Sequence, residues 1–258
     1  YCSNARSLLV IQKPNLPPQK FLLYDGNEIM TFSIYSSTSV NLNFNQKQYD
    51  VRTDMCYLFE SHESDKSTWH NYTTVYNKLF SKFINKNINF FELGIGGFRR
   101  VGASLYAFRD YFKNANIYGA DIDDKLLFED EGISTFYVDQ TDSESVKTLW
   151  NSFSAKAFEE DKDTRFDIII DDGLHDYDAN ITFFENSIGM LKNGGIYIIE
   201  DITNKQKSKF VDYFSNLNYT LSCILELPMT SEWANSHNQK FSIGKVNNFD
   251  NNLGIIIK

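Results

Sequence analysis

The stretch Asn87–Gly97, "NINFFELGIGG", decides how this chain is read. Its apolar run is too short for a helix and stops at three glycines among the last four residues, the pattern of a buried strand entering a tight turn. Downstream segments alternate between helix and strand. "GASLYAFRDYF" (102–112) has helical spacing, "NIYGADID" (116–123) and "STFYVDQTD" (134–142) read as strands, and "SVKTLWNSFSAKAF" (145–158) reads as a helix. "FDIIIDDGLHDYD" (166–178) begins as a fourth strand; a helix through "NITFFENSIGML" (180–191), an "NGG" stop and the strand "GIYIIED" (195–201) come next. Apolar strands separated by helices imply an α/β fold with a mostly parallel sheet and right-handed crossovers.

Both ends depart from that rhythm. "SKFVDYFSNL", "YTLSCILEL", "KFSIG" and "LGIIIK" close the chain, with two of the apolar runs able to form a hairpin, so a C-terminal antiparallel strand is expected. Residues 1–60 contain short alternating runs around the Asp25-Gly26 turn signal and read as a small β-rich N-terminal extension. Covering an edge, lidding a cleft or joining subunits in a homo-oligomer would each suit it. Residues 61–258 form the expected main domain. Ahead of the first strand, Tyr72, Val75, Leu79 and Phe83 fall at helical spacing.

Composition narrows the function. The 258 residues carry 25 Lys plus Arg against 34 Asp plus Glu, a formal charge of -9, which argues against nucleic acid or an anionic membrane as main partner. No apolar run approaches the ~20 residues of a membrane span. The scattered Cys2, Cys56 and Cys223 suggest free thiols in a reducing, cytoplasmic setting rather than a disulfide framework or zinc cluster. Tyr1 stands where an initiator Met is expected, which leaves room for residues upstream.

In an open parallel sheet ligands bind beyond the carboxyl ends of the strands, and four such ends are chemically loaded. The first carries Glu92, Gly94, Gly96 and Gly97, where the backbone can approach a ligand and the next helix offers free N–H groups. The second carries Asp121, able to accept two hydrogen bonds from a ribose diol, and Asp123. The third carries Asp139 and Gln140, able to read an adenine edge. G-x-G-x-x-G would need glycine at Arg99, so a dinucleotide loop is disfavoured. Glu92 two residues ahead of the first glycine, with G-x-G-G spacing, resembles the S-adenosylmethionine loop of class I methyltransferases.

The fourth and fifth strand ends carry the chemistry. Adjacent strands would bring Asp172, Glu200 and Asp201 together, three hard oxygen ligands suited to a small divalent cation such as Mg²⁺. Without a cation three such carboxylates repel one another. His175, three residues past Asp172, has the pKa range of a base at neutral pH. Asp171 is expected to support the turn or the donor, and Asp176 and Asp178 to sit at a helix start. Tyr177 and Trp233 are candidate sugar-stacking aromatics, and the polar loop "MTSEWANSHNQ" (229–239) could lie over an acceptor.

Together "SDKSTWHNYTTVY" (64–76), "FELGIGG", "GASLYAFRDYF", "IYGADID", "DDGLH" and "GGIYIIEDI" resemble the Mg²⁺-dependent sugar O-methyltransferases of the macrolide type and their glycan-cluster relatives. The resemblance spans roughly residues 60–258. It implies a Rossmann-like fold and transfer of a methyl group from S-adenosylmethionine to a sugar hydroxyl, the sugar being nucleotide-linked or part of a glycan or natural product. It further implies metal ligation by Asp172, Glu200 and Asp201, a base role for His175, and closure over the donor by Lys66, His70 and Tyr72. Leu174 stands where such motifs often carry serine. Other readings of the same residues are a metal-assisted hydrolase or hydroxylase-associated protein, a non-catalytic cofactor-binding subunit, and a nicotinamide-dependent enzyme.

Overall fold

The computed structural model describes residues 52–68, 70, 72–96, 99–159, 163–226 and 252–258, together with the backbone of three strands, Gln19–Tyr24 (β1), Ile29–Tyr35 (β2) and Ser39–Asn41 (β3). The helices Asp54–Ser61 (α1) and Tyr72–Phe80 (α2) lead into the strand Asn87–Leu93 (β4) and the helix Ala103–Tyr111 (α3). Then come Asn114–Asp121 (β5), the short Glu129–Asp130 (β6), Ile133–Tyr137 (β7), the helix Ser143–Glu159 (α4) and Phe166–Asp171 (β8). Tyr177–Ser187 (α5), Leu191–Ile202 (β9), Lys207–Ser215 (α6), Leu221–Glu226 (β10) and Asn252–Ile257 (β11) complete the described elements.

One sheet runs in the order β1-β2-β3-β10-β11-β9-β8-β4-β5-β7-β6. The five strands β9, β8, β4, β5 and β7 are parallel, as the alternation with helices implied. β11 returns antiparallel against both β9 and β10, so the expected hairpin joins the apolar runs at 221–226 and 252–257. The run at 240–244 lies outside the described residues.

Successive residues on each strand face opposite sides, and the core is accordingly in two layers. Phe90, Ile168, Ile170, Ile196 and Ile198 pack on the α1, α2 and α3 side, with Phe59, Tyr76 and Phe108. Phe91, Ile169, Tyr197 and Ile199 pack with Trp150, Phe153, Phe183 and Phe210 from α4, α5 and α6. Met55 and Phe59 of α1 are fully buried in the first layer, so residues just ahead of 61 pack with the main domain.

Two local expectations shift. The buried stripe of α2 is Tyr72, Thr73, Tyr76 and Phe80, while Val75 and Leu79 sit at its edge. The helix expected at 180–191 starts at Tyr177, because the Asp176 carboxylate caps it by accepting from the Asp178 and Ala179 N–H groups. It stops before the "NGG" triplet, which lies inside β9.

Chain order along the sheet reverses at β4. The chain steps outward from β4 to β5 and β7, then returns to place β8 on the other side of β4. The crevice outside a reversal point is where open α/β sheets bind ligands.

Candidate active site

Two strand ends meet at the reversal point. Leu93 pairs with Asp171, and the Asp172 N–H donates to the Leu93 carbonyl at 2.9 Å. Gly94 comes next with φ +84°, and a Cβ there would lie 2.0 Å from the Asp172 carbonyl oxygen. Only glycine lets the loop after β4 pass this close to the turn carrying Asp172 and His175. Gly96 is exposed, as a ligand-facing loop requires, and Gly97 lies outside the described residues.

Of the three non-glycine residues with positive φ among the described residues, two are His175 (55°) and Asp201 (53°). Backbone of that kind is held only where the surroundings over-determine it, and it clusters at functional sites. His175 Nε2 lies 4.0 Å from Asp172 Oδ1 and 3.7 Å from Asp201 Oδ2, at a partly exposed opening. The ligand atoms of these three residues all lie within 4.8 Å of one another, close enough to share a cation.

Each carboxylate at the opening is held from behind. Asp172 Oδ2 accepts from Lys66 Nζ at 2.6 Å, leaving Oδ1 toward His175. Asp201 Oδ1 accepts a short hydrogen bond from the Tyr72 hydroxyl, with His70 Nδ1 at 3.6 Å, leaving Oδ2 toward His175. The residues doing this come from the segment 64–76.

Glu200 stands differently. It is buried, with Oε2 accepting from Lys66 Nζ at 2.6 Å and Oε1 from the Tyr76 hydroxyl at 2.5 Å. Both oxygens of this expected metal ligand are thereby engaged inside the protein. Lys66 Nζ also lies 3.3 Å from Glu92 Oε1, while Glu92 Oε2 accepts from the Ser104 hydroxyl at 2.5 Å. Burial would favour the neutral lysine, yet Asp172, Glu200 and Glu92 around it hold the ammonium pKa well above its ordinary value. Burial pushes the Glu92 carboxyl up to about 7 despite the ammonium. Lys66, Tyr72 and Glu92, expected at the donor, thus face the acid cluster.

Gln140 is also turned inward. Its Nε2 donates to both oxygens of Asp171, at 2.8 and 2.9 Å, and its Oε1 accepts from the Leu174 N–H at 2.8 Å. The amide expected to read adenine has both ends occupied by the turn. Asn180 of α5 donates to Asp171 Oδ2 at 3.0 Å, and Gly173 N–H to Oδ1 at 3.3 Å. A Cβ on Gly173 would meet Gln140 Oε1 at 2.3 Å, so a side chain there would displace the glutamine amide. Asp171 is fully buried and serves the turn, its carboxyl pushed by burial up to about 7 against the pull of these donors.

The remaining expected positions lie at the carboxyl ends of β5 and β7. Asp121 Oδ2 accepts from the Ile95 N–H and Oδ1 from the Asp123 N–H, each at 3.0 Å, which ties it to the glycine loop. Asp139 Oδ1 accepts from the Thr141 N–H and hydroxyl. Exposed apolar side chains at Ile122, Tyr137 and Leu174 stand at the ends of β5, β7 and β8. Tyr177 packs edge-on against Phe210, with ring centroids 4.8 Å apart. Trp233 and residues 229–239 lie outside the described residues. Sequence reasoning misses Tyr76, Ser104 and Asn180. A Tyr76 hydroxyl four residues after Tyr72 on a buried stripe is the signal that could have flagged the first of them.

The reversal point at β4, the glycine loop and the mostly parallel sheet with its antiparallel end define the class I S-adenosylmethionine-dependent methyltransferase fold. The crystal structure of the MycE methyltransferase from the mycinamycin pathway, with Mg and S-adenosylhomocysteine, covers 80% of this chain at a TM-score of 0.53 and 21% identity, over 55% of its own length.

No family profile matches the chain. Among curated proteins, a Streptomyces olivaceus 8-demethyl-8-alpha-L-rhamnosyl tetracenomycin-C 2'-O-methyltransferase is 32% identical over 144 residues, 55% of this chain and 35% of its own. A Streptomyces fradiae demethylmacrocin O-methyltransferase is 32% identical over 136 residues, 52% of this chain and 32% of its own. A mycinamicin VI 2''-O-methyltransferase from Micromonospora griseorubida is 31% identical over 137 residues, 52% of this chain and 32% of its own. The chain spans about a third of the length of the curated relatives it matches. All three are named as O-methyltransferases of natural products, the first of a rhamnosyl compound.

Proposed function

We propose that this chain transfers a methyl group from S-adenosylmethionine to a hydroxyl of a sugar, carried on a natural product, a nucleotide or a glycan, with a divalent cation such as Mg²⁺ assisting. The observation that carries the reading is the meeting of Asp172, His175 and Asp201 at the sheet's reversal point, beside the Gly94 turn. The sugar O-methyltransferases among the relatives support the reaction class.

The donor set fits a hard cation. Asp172 Oδ1 and Asp201 Oδ2 are oxygens left free by their partners behind, and both face the same opening. In this reading Asp172, Glu200 and Asp201 are the ligands of the ion; Glu200, whose oxygens here take Lys66 and Tyr76, lies behind the two open aspartate oxygens. A cation there would lower the basicity of an acceptor hydroxyl. His175 Nε2 would accept the hydroxyl proton as the oxygen bonds the donor's methyl carbon and the methyl–sulfur bond breaks to release S-adenosylhomocysteine, with the glycine loop at the β4 end holding the donor. Rate then comes mainly from positioning, which suits a base and two acids on backbone fixed by neighbouring strands. Among the described residues no helix is long and apolar enough to cross a membrane.

The test is calorimetry with S-adenosylmethionine, followed by transfer of labelled methyl to a panel of nucleotide sugars and rhamnosylated aglycones. Donor binding together with a labelled sugar product supports the reading, and no donor binding removes it. His175→Ala is expected to keep donor binding and to lose transfer by about 10²-fold or more; near-normal turnover in that variant sinks the base assignment.

A further inference from the structure

Glu200 and Asp201 are neighbours in sequence, and neighbours on a strand face opposite sides of the sheet. Up to Ile199, β9 obeys this rule. Ile196 and Ile198 pack in the first core layer, Tyr197 and Ile199 in the second. Glu200 then turns to the first layer and accepts from the Tyr76 hydroxyl, but Asp201 faces that side too and accepts from the Tyr72 hydroxyl of the same helix. Ile202, which strict alternation assigns to the first layer, packs in the second with Phe210 and Phe214. The strand has slipped out of phase between Glu200 and Ile202.

Its pairing with β11 shows how. Ile199 stands opposite Gly254 and Ile202 opposite Asn252, so Glu200 and Asp201 together oppose Leu253 alone. Two residues against one is a β-bulge, a device that re-aims a side chain. The residue that takes up the slip is Asp201, at φ 53°. Without the bulge, one of the two carboxylates would point into the second core layer. A non-glycine residue at such a φ persists only where its surroundings hold it.

β11 supplies that hold. Asn252 is buried, and its Nδ2 donates to the Ile202 carbonyl at 2.7 Å and to Asn204 Oδ1 at 3.3 Å, which ties down the chain just past Asp201. Gly254 makes room for the displaced Ile202, since a Cβ there would lie 2.9 Å from Ile202 Cδ1 and 3.0 Å from Phe214 Cζ. We propose that Asn252 is a positioning residue whose amide locks the β9 bulge, and so keeps Asp201 on the same side as Glu200 with Oδ2 toward His175. The inference rests on the proposed function only in taking Asp201 as a group of the reacting site.

The test is Asn252→Ala, with Mn²⁺ and S-adenosylmethionine titrated separately by calorimetry. The expected result is a loss of about tenfold in Mn²⁺ affinity, with donor affinity held within about twofold because the glycine loop lies on another strand. A loss of Mn²⁺ affinity under about threefold in the folded variant, whatever its stability, overturns the proposal. A double-mutant cycle with Tyr72→Phe, read by urea unfolding in metal-free buffer, probes the same coupling with no ligand present. Both changes act on Asp201, so the double variant's fall in folding equilibrium constant should be smaller than the product of the single falls by about threefold or more. A smaller departure from the product makes Asn252 a local structural contact and overturns the proposal. Were the unmodified chain to bind no Mn²⁺, the cation of the proposed function would fall, and the cycle alone would decide the role of Asn252. If Asn252→Ala does not fold, Asn252→Ser, which keeps one donor, replaces it in both measurements under the same limits.

Discussion

Replacing Gln140 with alanine separates the two roles this residue could have. Its Nε2 donates to both oxygens of the buried Asp171 carboxylate, and its Oε1 takes the Leu174 N–H. A hydrogen bond to a charged group contributes about 1.5–3 kcal/mol, and a buried N–H left without a partner costs about 1–3 kcal/mol. The Gln140→Ala variant should therefore lose roughly 3–5 kcal/mol of stability, read by urea unfolding, and about 10 °C in Tm for a domain of this size. The same change releases the turn that carries Asp172 and His175. A shift of about 1 Å at the reacting groups costs on the order of 10²-fold in turnover, so kcat should fall while the acceptor KM changes little. Donor affinity, measured by calorimetry, should stay within about twofold, since neither end of the amide points at a ligand. A tenfold loss of donor affinity, about 1.4 kcal/mol, with stability nearly unchanged would refute this account and restore Gln140 as an adenine reader.

Three further variants probe neighbouring contacts. Gly94→Ala drives a Cβ to 2.0 Å from the Asp172 carbonyl at a positive φ, so it should cost at least ~3 kcal/mol in unfolding experiments and weaken donor binding; a stable variant with unaltered binding would contradict the close approach. Tyr72→Phe removes the hydroxyl behind Asp201 without changing the packing, and should weaken Mn²⁺ binding several-fold with donor affinity unchanged, measured by calorimetry with each ligand separately. Glu92, buried and with its pKa pushed up to about 7 from an ordinary 4.5, holds its proton more tightly in the folded chain than in the unfolded one. Its contribution to stability is full below about pH 4.5 and is lost as the pH rises through about 7. In metal-free buffer Glu92→Gln, which mimics the protonated acid, should flatten the fall in unfolding free energy between about pH 5 and 8, and an unchanged slope would deny the shift.

The strand–helix alternation was legible because a parallel sheet buries its strands on both faces and so writes them as apolar runs ending at glycine or acid. Runs such as "FDIII" and "GIYII" need no tertiary knowledge to be recognised. What the period cannot choose is between adjacent stripes on a short helix. Tyr72-Val75-Leu79 and Tyr72-Tyr76-Phe80 both keep helical spacing, and only packing of Tyr76 and Phe80 against Phe108 selects the second. The extent of β9 was hidden for a related reason. "NGG" is a stop signal in isolation, yet the Gly194 N–H donates to the Lys258 carbonyl, and the strand resumes its pairing with β8 at Ile196 after a register shift across the triplet.

The acids at the candidate site were legible and their partners were not, for a reason rooted in side-chain chemistry. A carboxylate at a strand end stands out because burial there is costly. A tyrosine on a helix passes as core, since its ring fills the same volume as phenylalanine and its hydroxyl is a minor part of its surface. Tyr72 and Tyr76 are both fully buried in the first core layer, and each hydroxyl must still find an acceptor. Asp201 and Glu200 supply them, 129 and 124 residues away in sequence. The demand was therefore visible in outline: two hydroxyls at i and i+4 on one buried helical stripe need two acceptors, and a chain with an adjacent Glu-Asp pair at the end of an apolar strand offers them. Lys66, six residues before Tyr72, enters by charge. Three carboxylates closing on one interior point are untenable without a cation, and the segment that already delivers both tyrosines to those carboxylates is the one that also delivers the ammonium.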